Sequence, residues 1–212
     1  DEARRLAYEG AIEGLVVVAE EQTRGRGRFD RDWVSTPGLD LTFSVVLRPN
    51  AERLRQVNMA ATMAVQDAAN VITGRTAVIK WPNDVLVSGR KLSGILIESV
   101  MSPSGGLEFA VIGVGLNVNL RPAEHPEIRD IATSLAQELG TDLDRTDVLL
   151  RMLSRLDELY SAIGSGVDLS SPWAERLDTI GRQVEVVWGD RTVAGRATGV
   201  DRDGNLLVEA GG

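Results

Sequence analysis

The stretch from residue 77 to residue 119 limits the fold most, because it is a series of short apolar runs separated by turn residues. The runs are rich in Val, Ile and Leu, and Gly, Pro, Ser or Asn stands between them. Runs of this kind are typical of strands, and strands joined by short connections pair antiparallel. We therefore predict a meander of neighbouring antiparallel strands over residues 77–79, 84–87, 92–100 and 108–119.

Segments with helical spacing stand before and after this meander. Residues 51–72 and 146–163 carry apolar side chains at three- or four-residue steps, which predicts two long amphipathic helices. Shorter helices and further strands are predicted over residues 1–10, 15–20, 41–47 and 172–177. Together these elements predict an α+β fold, with a mixed, mainly antiparallel sheet and flanking helices.

The pattern changes near Thr179, where three short strand-like runs follow one another with Gly-Asp or Asp-Gly turns between them. We therefore divide the chain into a main domain, residues 1–178, and a small β domain, residues 179–212. The first helix has no lead-in segment, and three short strands are too few to close a barrel. We expect residues to precede position 1 and the β domain to be truncated.

Composition narrows the classes of function. The 212 residues include 31 acidic and 23 basic side chains, a net charge of −8, whereas general nucleic-acid binding needs a basic surface. No apolar run approaches the roughly 20 residues that cross a bilayer. The absence of Cys excludes disulfides and thiol catalysis and favours a reducing, cytoplasmic setting. His125 is the single histidine, so a Ser-His-Asp site is excluded unless that residue supplies the base.

Against this acidic background, residues 22–33 read QTRGRGRFDRDW and concentrate four arginines and two glycines. A guanidinium group presents a fixed fork of donors that suits carboxylate and phosphate oxygens. Glycine lets the backbone come close to a ligand. The segment predicts either an anion-binding loop or a solvated basic loop, and its composition does not decide between them.

Two further clusters carry polar residues at irregular points of the meander. In residues 80–94, KWPNDVLVSGRKLSG, the proline interrupts the strand beside Asn83 and Asp84, and the antiparallel return brings Lys91 back toward them. A solvated edge hairpin is the alternative. Residues 113–117, GVGLN, place glycines inside a strand, which marks the close approach of a ligand or another backbone. Neither the dinucleotide fingerprint nor a P-loop is matched.

Taken together, GRGR followed five residues later by Trp33, KWPND followed by RKLSGIL, and GVGLNV resemble the biotin protein ligases in order and spacing. The resemblance covers residues 20–119, and the C-terminal β domain is similar to that family's SH3-like domain. It implies a catalytic domain of the class II synthetase or SH2-like type. It also implies a cytoplasmic enzyme that uses ATP and Mg²⁺ to convert biotin to biotinyl-5′-AMP. The biotin then passes to a lysine of the biotin carboxyl carrier protein domain of an acyl-CoA carboxylase.

The resemblance also implies a role for each matching position. Catalytic roles fall on Lys91, Arg28 and Asp84, of which Asp84 is also a candidate metal ligand. The positions implied to bind biotin are Gln22, Arg26, Gly27, Arg28, Lys91, Gly94, Gly113 and Gly115. The positions implied to bind ATP are Lys80, Asn83, Arg31, Trp33 and Asn117.

The sequence departs from the family pattern in three ways. It starts after the Ser-Thr-Asn triplet that contacts biotin, and its Phe29 and Asp30 replace the commoner small or basic loop residues. It also carries no N-terminal helix-turn-helix segment, so we expect a monofunctional ligase without nucleic acid as a partner. Homodimerisation is a family expectation. The alternatives left open are a lipoate ligase or octanoyl transferase of the same superfamily, and a biotin-adenylate-responsive repressor.

Overall fold

The structure is a computed structural model that describes residues 1–28, 33–189 and 191–210. The main part of the molecule is a six-stranded sheet. Its strands in chain order are β1 (Val16–Ala19), β2 (Leu41–Leu47), β3 (Ala77–Lys80), β4 (Asp84–Val87), β5 (Arg90–Met101) and β6 (Leu107–Leu116). In space they follow the order β1-β2-β6-β5-β4-β3, and each neighbouring pair is antiparallel. The predicted α+β fold with a mainly antiparallel sheet is confirmed.

The helices of the described residues flank this sheet. They are α1 (Glu2–Tyr8), α2 (Ala51–Thr73), α3 (Leu135–Leu139), α4 (Arg145–Gly164) and α5 (Ser170–Ala174), with a 3₁₀ turn at Pro122–Glu124. Asn50 caps the start of α2 by accepting a hydrogen bond from the Arg53 amide, and Gly74 ends the helix with a left-handed φ of 64°. In the described part of the chain no helix is long and apolar enough to cross a membrane.

The two faces of the sheet are covered differently. On β5 and β6, Ile95, Ile112 and Val114 point into the main core beneath α2 and α4. The opposite face is covered at one end by α1, whose Ala3 and Ala7 pack in a smaller core. Toward the other end of that face the side chains shrink to glycine. This leaves exposed backbone against which a ligand or a flat ring can lie.

The last part of the chain forms a second sheet of three antiparallel strands. These are β7 (Gln183–Trp188), β8 (Arg191–Val200) and β9 (Leu206–Ala210). The small sheet is docked to the KWPND segment, because Trp81 Nε1 donates to Gly204 O at 2.9 Å and Trp81 N donates to Thr179 Oγ1 at 2.9 Å. Arg55 and Asp203 add an ion pair of 2.7 Å across the same contact.

Two strand boundaries differ from the prediction in ways that matter for the site. Strand β6 ends at Leu116 rather than at residue 119, because its partner β2 begins at Leu41, opposite Leu116. Asn117 therefore lies beyond the end of the strand, and its backbone N donates to Leu92 O at 3.0 Å. Strand β5 begins at Arg90 rather than at residue 92, which places Lys91 inside a strand.

Candidate functional site

Three glycines form a floor on the partly open face of the sheet. Gly94 on β5 lies opposite Gly115 on β6, and Gly113 lies opposite Leu96 one pleat further along. We call Gly94, Gly113 and Gly115 the glycine floor. Opposite residues of an antiparallel pair share a face, so the floor is a continuous strip of backbone.

The indole of Trp33 lies directly on this floor. A methyl group on Gly115 would stand 2.2 Å from Trp33 Cε2, and one on Gly94 would stand 3.2 Å from Cζ3. Trp33 Nε1 is buried and has no hydrogen-bond partner among the described residues. The ring occupies the space in which a ligand would rest, and its N–H is a donor for an acceptor atom on that ligand.

Lys91 and Asp84 meet at the edge of the glycine floor. Lys91 Nζ lies 2.8 Å from Asp84 Oδ1 and 5.5 Å from the centroid of the Trp33 ring. Asp84 stands opposite Gly94, and an irregularity between Val85 and Leu86 shifts the register of the returning strand. The predicted approach of Lys91 to Asp84 therefore occurs. The two side chains are 37% and 25% exposed, so this fixed ammonium group can still reach an anionic ligand.

The remaining residues of the KWPND cluster have mainly structural contacts. Asn83 Nδ2 donates to Ile95 O at 2.6 Å, and Ile95 N donates to Asn83 O at 3.0 Å. These bonds hold Asp84 at the start of β4. Lys80 is exposed at the end of β3, opposite Asp84.

Asn117 is buried where β6 ends, and both of its amide hydrogens face carbonyl groups. Nδ2 donates to Thr133 O at 2.9 Å and to Lys91 O at 3.4 Å. The side-chain oxygen Oδ1 is therefore the atom through which Asn117 can contact a ligand. An acceptor in this position suits an amino group on that ligand.

The arginine-rich segment closes back on itself beside the floor. Trp33 N donates to Gly25 O at 3.1 Å, and a methyl group on Gly25 would lie 2.4 Å from Trp33 O. Glycine is therefore required at position 25. Gln22 lies next to it, since its Oε1 would be 3.3 Å from the same methyl group.

Two arginines of that segment, Arg24 and Arg26, lie beside the carboxylate of Asp1. Arg26 Nη2 lies 3.2 Å from Glu98 Oε2 and 3.2 Å from Asp1 Oδ1, so it lies toward the α1 end of the face. Gly27 is partly buried, and Arg28 is exposed. Arg31 lies outside the described residues.

The sequence did not predict two groups of residues that hold the site in place, one around Asp40 and one around Glu138. Asp40 accepts hydrogen bonds from Thr36 N at 3.1 Å and Val118 N at 3.2 Å, which ties the segment after Asn117 to the turn before β2. Burial raises the pKa of the Asp40 carboxyl group. The turn sequence around Gly38 was the signal available for Asp40. The second group, around Glu138, had no local signal, because its guanidinium partners Arg75 and Arg90 are distant in sequence.

A dedicated metal cage was not detected in the described ranges: no three His, Asp or Glu side chains gather there. Mg²⁺ usually binds through one or two carboxylates together with substrate phosphates. Asp84 alone is consistent with that pattern. His125 contacts Thr36 Oγ1 at 3.1 Å, so its ring belongs to the Asp40 turn rather than to the glycine floor.

Comparison with known proteins gives two family matches. Residues 4–117 match the model described as the Biotin/lipoate A/B protein ligase family. Residues 179–212 match the model described as the Biotin protein ligase C terminal domain. The second match covers the part of the chain that forms the small sheet.

Individual relatives cover nearly the whole chain. The biotin–acetyl-CoA-carboxylase ligase of Mycobacterium tuberculosis is 36% identical over 217 residues, covering 98% of this chain and 78% of the relative. The bifunctional ligase/repressor BirA of Bacillus subtilis is 35% identical over 212 residues, and the chain spans 65% of its length. The Aquifex aeolicus biotin protein ligase in complex with biotin and ATP has a TM-score of 0.82 at 33% identity, with 97% of this chain and 86% of that chain covered.

Proposed function

Because the chain belongs to the biotin/lipoate A/B protein ligase family, we propose that it is an ATP-dependent biotin protein ligase. In the first step a biotin carboxylate oxygen attacks the α-phosphorus of ATP, and pyrophosphate leaves. In the second step a lysine amine of a carrier protein attacks the acyl carbon of biotinyl-5′-AMP, and AMP leaves. The products are an amide bond on the carrier and a free proton.

The observation that carries the proposal is the Lys91–Asp84 pair at the edge of the glycine floor. Attack by a carboxylate on a triphosphate brings two anions together, and a cation fixed beforehand lowers the cost of that approach. Lys91 is such a cation, since Asp84 holds it at 2.8 Å. The floor lets the fused ring system of biotin lie close to the backbone, at the place that Trp33 covers in this structure.

The other site residues are assigned the roles that the resemblance to the family implies. Arg28 neutralises the phosphate of the adenylate, while Gln22, Arg26 and Gly27 belong to the loop that closes over biotin. Trp33 leaves the floor when biotin enters and stacks on adenine, with its Nε1 donor available to a phosphate or carbonyl oxygen. Asn117 offers Oδ1 to adenine. Lys80, Asn83 and Arg31 are assigned to the side of the triphosphate.

Mg²⁺ enters with ATP as part of the substrate, and Asp84 is the carboxylate proposed to face it. The ion neutralises charge on the triphosphate. Asp84 then has two successive tasks, holding Lys91 before substrate binds and accepting a proton from the incoming lysine amine afterwards. The carrier is proposed to be the biotin carboxyl carrier domain of an acyl-CoA carboxylase. We assign catalysis to residues 1–178 and a separate, docked β domain to residues 179–212.

The proposal is tested by mixing the purified chain with MgATP and either labelled biotin or labelled lipoate. Formation of biotinyl-5′-AMP and pyrophosphate, followed by labelling of one lysine on a carrier domain, is the expected result. An adenylate formed with lipoate alone would assign the chain to the lipoate branch of the family. A carrier domain whose target lysine is replaced by arginine is the control for specific transfer.

A further inference from the structure

Residues 131–133 form a backbone bridge between two parts of the site. Lys91 N donates to Ile131 O at 2.7 Å, and Thr133 N donates to Lys91 O at 2.9 Å. On its other side, Thr133 O accepts from Asn117 Nδ2 at 2.9 Å. The position of Thr133 therefore sets where the Asn117 amide lies relative to Lys91.

Thr133 is itself held by a buried carboxylate. Thr133 Oγ1 donates to Glu138 Oε1 at 2.6 Å, and the Glu138 side chain is only 4% exposed. Arg90 Nη2 lies 3.0 Å from Oε1, and Arg75 Nε lies 3.2 Å from Oε2. A buried carboxylate with two guanidinium partners resists movement, because losing a partner leaves buried charge uncompensated. Glu138 thus joins the bridge to the start of β5 and to the end of α2.

The same helix that carries Glu138 also holds the backbone around Asn117. Leu135 N donates to Asn117 O at 3.0 Å, and Ala136 N donates to Val118 O at 2.8 Å. Asn117 is therefore bound through its main chain by the start of α3 and through its side chain by the bridge. Both contacts depend on where Glu138 anchors α3.

The direction of the Asn117 amide decides which base it can accept. Since both neighbours of Nδ2 are carbonyl oxygens, Nδ2 must face them and Oδ1 must face away. An acceptor at that point suits the 6-amino group of adenine, which is a donor, and opposes the 6-oxo group of guanine, which is an acceptor. If the bridge loosens, the amide can rotate and present its donor instead.

We propose that Thr133 and Glu138 are positioning residues that make the site prefer adenine to guanine nucleotides, by fixing the orientation of the Asn117 amide. The inference rests on the proposed function only in taking Asn117 as the residue that contacts the base. Thr133 and Glu138 act through Asn117, so they affect the choice of base rather than the chemical step.

The test compares ATP and GTP binding to the whole chain by isothermal titration calorimetry. Thr133→Val removes the hydroxyl that Glu138 binds, and Thr133→Ser keeps it. Thr62→Val is the matched control. Thr62 lies on α2 and is also a fully buried threonine, and its Oγ1 accepts a hydrogen bond from Trp173 Nε1 at 2.9 Å. We expect the ratio of ATP affinity to GTP affinity to fall at least about tenfold in Thr133→Val and to stay within about twofold in Thr133→Ser and Thr62→Val.

An unchanged ratio in Thr133→Val would overturn the inference, and so would an equal fall in Thr62→Val, which would indicate general loosening. A wild-type chain that binds ATP and GTP equally would overturn it as well. If circular dichroism shows that Thr133→Val is unfolded, Glu138→Gln replaces it, and the same outcomes decide. Failure of the proposed function is a separate result, in which the wild-type chain prefers ATP but forms no biotinyl-5′-AMP.

Discussion

Replacing Lys91 with methionine separates a catalytic role of this side chain from a structural one. Methionine keeps an apolar stem against Trp33 but removes the ammonium group that lies 2.8 Å from Asp84. Loss of one fixed electrostatic contact to a developing charge typically costs about 2.7–4 kcal/mol, or about 10²–10³ in rate. The rate of biotin-dependent pyrophosphate release should therefore fall by that factor.

The folding free energy should change much less. Lys91 and Asp84 are 37% and 25% exposed, so solvent screens their attraction. Ion pairs at such exposure contribute about 0–1 kcal/mol, which corresponds to a fall of about 2–4 °C at most in melting temperature for a chain of this size. Rate and stability are then affected to clearly different extents.

Arg155→Met is the matched control for this variant. Arg155 Nε lies 2.8 Å from Asp67 Oδ2, and these two side chains are 36% and 24% exposed, on α4 and α2 and remote from the glycine floor. It should lose at least as much stability, because Arg155 also pairs with Glu158 at 2.7 Å, and it should keep the wild-type rate. A Lys91→Met enzyme that stays within about threefold of wild type, or an Arg155→Met enzyme that is equally slow, would refute the reasoning.

Three further variants test other parts of the site. Gly115→Ala adds a methyl group to the floor on which biotin is proposed to lie and should weaken biotin binding by about 10–100-fold in calorimetry. Gly106→Ala, in the connection between β5 and β6 with its nearest contact at 3.7 Å, should not, and equal affinities of the two variants would contradict the assigned floor. Asp40→Asn tests the raised pKa of the Asp40 carboxyl group. The folded state binds this proton more tightly than the unfolded state does. The free energy of unfolding of the wild type should therefore rise relative to that of the variant as pH falls from 7 through the folded pKa toward about 4. Urea unfolding at both pH values measures this gain, and a constant difference between the two proteins would rule it out. Arg28→Gly should let biotinyl-5′-AMP escape, seen as labelling of lysines on an added bystander protein; unchanged retention of the adenylate would argue against the proposed role of Arg28 in holding it.

Local patterns were enough to locate most of the sheet. The strands at residues 41–47 and 84–87 begin and end as predicted, because Pro, Gly and Asp bound clear apolar runs. The approach of Lys91 to Asp84 also follows from the sequence, since a tight antiparallel return leaves few other arrangements. The short helix α3 was missed, because five residues are too few to show a period.

Contacts between segments that are distant in the chain could not be predicted from the sequence. The Thr133–Glu138 network joins the end of α2, the start of β5 and α3, and no spacing in the chain signals that meeting. Trp33 was assigned toward adenine, yet its indole lies on the glycine floor in this structure, since the loop closes through the Trp33–Gly25 hydrogen bond. Packing of this kind is decided by tertiary contacts rather than by local preference.

The Lys91–Asp84 contact also bears on self-modification. The proposed intermediate acylates amines, and this sequence contains lysine only at positions 80 and 91, with arginine supplying its other basic side chains. Guanidinium groups are poor nucleophiles because they stay protonated. Lys91 Nζ lies 2.8 Å from Asp84 Oδ1, and as an ammonium group it has no free electron pair with which to attack. Within these 212 residues the arrangement leaves the proposed intermediate few amines to react with.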